Sequence, residues 1–158
     1  MMRLSTFLLL VLACAAPSRA PDDARVRAEV RDAMERYMAA ARTVDPDRMA
    51  AFFTPGGVLF EPGIFPIETR DSIRAFLASF PGARVDSATA VPDTIEVWNG
   101  KALLWGSYFE RLSFPGQPVS EQHGRFVTEW VRQDDGTWLI ERYYRVPLPT
   151  LPALPPRP

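Results

Sequence analysis

Residues 81–111 read PGARVDSATAVPDTIEVWNGKALLWGSYFER, and this stretch decides the fold class. At Pro81-Gly82 the spacing of apolar residues changes from helical to alternating. Alternation of apolar and polar side chains is the mark of a strand with one buried face. Strands are therefore predicted over 84–91 and 93–98, broken at Pro92. Asn99-Gly100 then sits between two alternating runs. Both residue types tolerate positive φ, which a two-residue hairpin requires. A further strand follows over 101–111.

Upstream, the pattern is helical. Val26, Val30, Met34, Tyr37, Met38 and Ala41 form one stripe along residues 22–42, with Asp22 and Asp23 suited to the positive helix start. Asp45-Pro46 reads as an N-cap followed by proline at the first helical position, predicting a second helix over 46–53. Pro55-Gly56-Gly57 reads as a turn, 58–61 as a short strand, and 69–80 as a third helix with Ile73, Phe76, Leu77 and Phe80 inward. Downstream, a loop spans 113–118. Strands over 120–133 and 137–144 are then joined across Asp134-Asp135-Gly136. Helices first and hairpin-linked strands afterwards define an α+β domain with helices on one face of an antiparallel sheet.

The chain of 158 residues suffices for one domain, placed at 22–147. Apolar residues make up 47% and charged residues 23%, which indicates a globular domain rather than a disordered one. A formal charge of −1 gives no basic field for nucleic acid. Residues 1–20 read as a secretory signal: Arg3, then an apolar run over Leu4 to Ala13, too short to cross a bilayer. Two processing readings stand. Ser18-Arg19-Ala20 fits a small-x-small cleavage site. Val11-Leu12-Ala13-Cys14 resembles a bacterial lipobox, in which Cys14 is lipidated and anchors the protein. Both place the protein outside the cytoplasm, in the periplasm or cell envelope. Cys14 is the only cysteine, so the mature domain has no disulfide and no thiol nucleophile. Residues 148–158 are proline-rich and favour extended, unpacked backbone.

Several pieces resemble one superfamily in order and spacing. They are Glu35-Arg36-Tyr37-Met38-Ala39-Ala40, Asp47 to Phe53, Val58 to Gly63, Ser72 to Leu77, Gly124-Arg125-Phe126 with Trp130, and Asp135-Gly136-Thr137-Trp138. Together they are similar to the superfamily named for nuclear transport factor 2, and within it to SnoaL-like and ketosteroid-isomerase-like domains. The resemblance implies a cone-shaped fold: three N-terminal helices packed on a curved, mostly antiparallel sheet around a largely apolar pocket. Such a pocket suits a small, mostly hydrophobic ligand. The resemblance also implies dimerisation through the sheet. Alternation puts Phe126, Thr128 and Trp130 on one face and Arg125, Val127 and Glu129 on the other, so both faces carry apolar groups.

The same resemblance assigns chemistry. In ketosteroid isomerases a tyrosine at the position of Tyr37 donates to a developing oxyanion. Their general base is an aspartate followed by proline; here that position is Glu61, before Pro62. A glutamate is one methylene longer, and a displacement of about 1 Å can cost on the order of 100-fold in rate. The protonated aspartate that completes the isomerase site has no equivalent, because no aspartate lies between Ser120 and Gln133. His123, the only histidine, is a third candidate acid or base. Phe60, Trp105, Phe126, Thr128 and Trp130 are candidate ligand contacts. One histidine and no mature cysteine do not make a typical transition-metal site, and no cofactor motif is present. Two functions follow: an envelope pocket domain that binds a hydrophobic molecule, or a cofactor-independent isomerase, cyclase or dehydratase using Tyr37 and Glu61.

Overall fold

A computed structural model describes residues 20–149. The leader with Cys14, and the tail from Thr150, lie outside the described residues. Helix α1 spans Ala20–Thr43, α2 Pro46–Ala50 and α3 Arg70–Ala78. Strands are β1 Phe53–Phe60, β2 Ile67–Glu68, β3 Arg84–Trp98, β4 Lys101–Ser113, β5 Ser120–Arg132 and β6 Trp138–Pro147. They form one six-stranded sheet in the order β2-β1-β6-β5-β4-β3. Only the β1–β6 pair is parallel. The helices cover one face, giving the expected α+β cone.

The apolar stripe of α1 is buried as its spacing requires: Val30, Ala33, Met34, Tyr37 and Ala40 all lie in the core. Polar ties fix the helix to the sheet along its length. Arg27 Nε donates to the Ile95 carbonyl at 3.0 Å, and Arg42 Nη2 to the Ala88 carbonyl at 3.1 Å. Trp138 Nε1 donates to Glu29 Oε2 at 3.1 Å, joining α1 to β6. Opposite the helix, the inner faces of the sheet supply Leu104, Phe126, Trp130 and Ile140, all fully buried.

Four local readings are corrected. The second helix ends at Ala50 rather than 53, because the chain there joins the sheet: the Ile140 N–H donates to the Phe52 carbonyl at 2.7 Å, and Phe53 pairs with Ile140. Pro55-Gly56-Gly57 lies within β1 rather than between elements. It bulges out, since five residue steps from Phe53 to Val58 match two from Ile140 to Arg142. Arg70 Nε, donating to the Phe53 carbonyl at 2.7 Å, steadies that bulge. The third helix is shorter, with Thr69 as its N-cap. The two strands read over 84–91 and 93–98 are one, β3, with a register shift at Pro92. Proline is tolerated there because β3 is an edge strand. Strand β2 had no sequence signal strong enough to read.

Asn99 and Gly100 take φ of 43° and 73°, as the hairpin between β3 and β4 demands. Gly106 on β4 faces the bulge at Pro92. A Cβ there would collide with the backbone of Val91 and Pro92, so only glycine lets β3 press in and bend the sheet.

Candidate active site

A cavity of about 340 Å³ opens between the helices and the inner face of the sheet. Its walls are mostly apolar: Met38 and Ala41 from α1, Phe53 and Leu59 from β1, Phe76 and Leu77 from α3, Val85 and Ala88 from β3. One part of the lining is polar. Tyr37, Glu61, Tyr108, Glu110, Tyr143 and Arg145 contribute to it from α1, the end of β1, β4 and β6.

Strand register explains how these groups meet. Phe60 pairs with Tyr144 in the parallel ladder, so Glu61 comes level with Arg145. Tyr108 and Glu110 are two apart on β4 and share its inner face, as do Tyr143 and Arg145 on β6. The β6 pair faces inward only because of a bulge. Trp130 pairs with Ile140 and Glu129 with Arg142, leaving Glu141 as an extra residue. The extra residue reverses the alternation after Ile140.

The centre of the polar group is Arg145. Its Nη1 donates to Glu61 Oε1 at 3.3 Å and its Nη2 donates to Glu110 Oε1. All three side chains are less than one-fifth exposed. The guanidinium also lies over the Tyr108 ring, 4.6 Å from its centroid. Burial opposes its charge, but Glu61 and Glu110 outweigh burial and hold Arg145 firmly protonated. Burial pushes the Glu61 carboxyl above its ordinary value of 4.5. Arg145 opposes that shift and Glu110 reinforces it.

The tyrosines are held by edge-to-face packing. The Tyr37 ring meets Phe52 and Tyr143, each at 5.7 Å between centroids. Burial, and then the proximity of Tyr143, raise the Tyr37 hydroxyl well above its ordinary value of 10.0. Burial likewise raises Tyr143. Both therefore remain protonated and able to donate. The Tyr108 hydroxyl is buried and has no hydrogen-bond partner.

Tyr37 and Glu61 thus line the same cavity, as their assigned roles require. The other predicted site residues do not reach it. His123 is exposed near the start of β5, paired across the ladder with Phe109. Phe60 points to the outer face, stacked on Tyr144 at 4.1 Å. Trp105 is also on that outer face, half-buried, because it alternates with inward Leu104 and Gly106. Phe126, Thr128 and Trp130 face inward but are sealed in the core beneath the cavity. Thr128 Oγ1 donates to the Leu104 carbonyl at 3.2 Å and accepts from Trp130 Nε1 at 2.8 Å, so these polar atoms satisfy each other. Glu110 and Arg145 were missed. Glu110 had a readable signal, two residues beyond Tyr108 on its strand, whereas Arg145 follows the bulge in β6 that reverses the alternation.

Among the described residues no group of three or more His, Cys, Asp or Glu is placed to hold a metal ion. No helix among them is long and apolar enough to cross a membrane.

A cone of helices over a curved sheet, with an apolar cavity ending in tyrosines and carboxylates, defines a class of pocket proteins. The SnoaL-like domain family matches residues 22–144, and the chain belongs to that family. A ketosteroid isomerase-like protein from Erwinia carotovora atroseptica is similar in fold, with a TM-score of 0.70 and 17% identity over 77% of this chain and 95% of that one. A nuclear transport factor 2-like protein from Salmonella enterica serovar Typhimurium aligns with a TM-score of 0.69 and 16% identity, covering 82% and 96%. A protein from Catenulispora acidiphila, solved in complex with S-DNPA, aligns with a TM-score of 0.64 and 19% identity, covering 78% and 94%. Among curated proteins, none matches the sequence.

Proposed function

We propose that this SnoaL-like domain is an exported, envelope-associated pocket protein that binds a small, mostly hydrophobic molecule. The observation that carries this reading is the cavity of about 340 Å³, apolar along its walls and polar at Tyr37, Tyr108, Tyr143 and the Glu61–Arg145–Glu110 array. Small-molecule sites combine an apolar body with a few convergent polar groups, typically in volumes of roughly 300–1,000 Å³. Export rests on the leader, with Arg3, its apolar run, and either Cys14 or Ala20 as the junction. The half-buried outer face of the sheet, with Leu103, Trp105 and Val127, is the proposed dimer surface.

Native mass spectrometry of the protein purified from its own envelope fraction tests the reading. A retained molecule on the folded protein is expected. A bare chain whose cavity also takes up no apolar probe would end the proposal.

A second reading is favoured by one observation: Tyr37 and Glu61 line a single cavity. In it, the Glu61 carboxylate takes a proton from a carbon next to a carbonyl. The Tyr37 hydroxyl donates to the carbonyl oxygen as it gains charge, and the proton is returned to another carbon. Arg145 limits this reading, since it opposes the rise in basicity that burial gives Glu61. Full turnover of a ketone substrate by Glu61→Gln would exclude it.

A further inference from the structure

We infer that the polar end of the cavity is built for a cationic headgroup, so that the preferred ligand is an amine with an apolar body. The inference rests on the pocket-binding reading and names the chemistry of its ligand.

Two carboxylates, Glu61 and Glu110, share one guanidinium, and all three are largely buried. The remaining charged group on the cavity wall, Arg84, is exposed to solvent. With both carboxylates ionised, the inner part of the site carries one more negative than positive charge. An uncompensated charge away from water is costly, and a ligand cation would compensate it.

Arg145 is already occupied. It donates to both carboxylates and lies over the Tyr108 ring. A ligand carboxylate seeking a two-point grip on this guanidinium would have to displace a glutamate that is held in place.

The Tyr108 hydroxyl is buried without a partner, and the residue lines the cavity. Its oxygen is a free acceptor at the edge of the cavity, and an ammonium carries three donors and no acceptor. The rings of Tyr37, Tyr143 and Phe53 also line the cavity, and aromatic rings attract cations.

The experiment compares three ligands of one shape by isothermal titration calorimetry at neutral pH: 4-phenylbutylamine, 4-phenylbutanol and 4-phenylbutanoate. The amine is expected to bind about tenfold more tightly than the alcohol, and the carboxylate more weakly than either. In Glu110→Gln the amine should lose most of its advantage over the alcohol. If the alcohol binds as tightly as the amine, or the carboxylate more tightly, the headgroup inference is overturned while the pocket reading stands. If none of the three binds, both are overturned. The comparison among ligands is made on the unaltered protein, so it holds even where the variant does not fold.

Discussion

Arg145 Nη1 donates to Glu61 Oε1 at 3.3 Å, and this contact joins β6 to the end of β1 inside the cavity. The same guanidinium serves Glu110 on β4, so one side chain holds three strands by their inner face. Replacing it strands two buried carboxylates together. Arg145→Met, which keeps much of the volume, is expected to destabilise the fold by roughly 3–5 kcal/mol, the usual penalty for breaking a buried pair from one side. Urea denaturation measures it. A loss below about 1 kcal/mol would mean that water reaches the array freely, as it does at surface pairs.

The Glu61 carboxyl gives a pH dependence of definite sign. Burial raises it above 4.5, with Arg145 opposing and Glu110 reinforcing. The folded protein thus holds this proton more tightly than the unfolded chain does. The resulting stability is fully present below about pH 4.5 and is lost as pH rises through the folded-state value. Glu129 works the other way. Its partial burial raises its carboxyl, but hydrogen bonds from Lys101 and Arg142 outweigh burial and lower it, so its contribution is lost as pH falls. The Glu61 part is isolated by subtraction. The stability of Glu61→Gln relative to the unaltered protein should climb as pH increases from 4.5 toward neutrality. Urea melts across that range check it, and a flat or falling difference contradicts it.

Tyr37 separates packing from chemistry. Its ring has three aromatic edge contacts, to Phe52, Phe53 and Tyr143, while its hydroxyl belongs to the cavity wall. Tyr37→Phe keeps the ring and should change stability by no more than about 1 kcal/mol. Tyr37→Ala removes it and should cost about 3–5 kcal/mol, as large aromatic truncations do. Retention of the native ligand should fall in Tyr37→Phe despite its intact fold. Equal retention would assign the residue to packing alone.

The architecture was legible because each element carried its own period or turn. The α1 stripe, the Asp45-Pro46 cap and the Asn99-Gly100 hairpin are local signals, and they were obeyed locally. The site was half legible. Tyr37 and Glu61 could be placed through the family resemblance, since Tyr37 lies on the apolar stripe of α1 and Glu61 stands at the end of β1 before Pro62. Arg145 could not, because simple alternation from Trp138 and Ile140 puts Arg142 and Tyr144 inside. The bulge at Glu141 reverses that assignment, and it is visible only in the pairing with β5. Thr128 and Trp130 failed for a different reason. Alternation put them on the correct face, but it cannot tell the sealed layer of a cone from the layer that lines its cavity.

The outer face tests assembly. Leu103, Trp105 and Val127 lie half-buried on it, beside an ion-pair cluster in which Lys101 Nζ reaches Glu129 at 3.0 Å and Arg142 Nη1 reaches the same carboxylate at 2.6 Å. A dimer formed there would bury the apolar residues among charges already paired. Trp105→Glu is expected to give a monomer in analytical ultracentrifugation while the unaltered protein sediments as a dimer. A monomeric unaltered protein, or a variant dimer of undiminished strength, rejects this surface.

Gly124 shows how backbone and site depend on each other. It lies opposite Tyr108 in the β4–β5 ladder. A Cβ at this position would meet Tyr108 Cε1 at 2.7 Å and would collide with the Val146 carbonyl oxygen on β6. The Tyr108 ring can turn away, but the β6 backbone cannot, since Gly124 is paired with Pro147 there. Gly124→Ala must therefore push β6 outward just beyond Arg145, and Tyr108 must leave the face of the guanidinium. The expected result is a loss of about 1–3 kcal/mol, the usual range for overpacking. Ligand retention should fall as well, because the displaced groups line the cavity. Thermal denaturation and native mass spectrometry on the same variant check the two effects. A variant that is destabilised yet keeps its ligand would show that the cavity tolerates movement of β6, and would place the binding determinants on α1 and β1 instead.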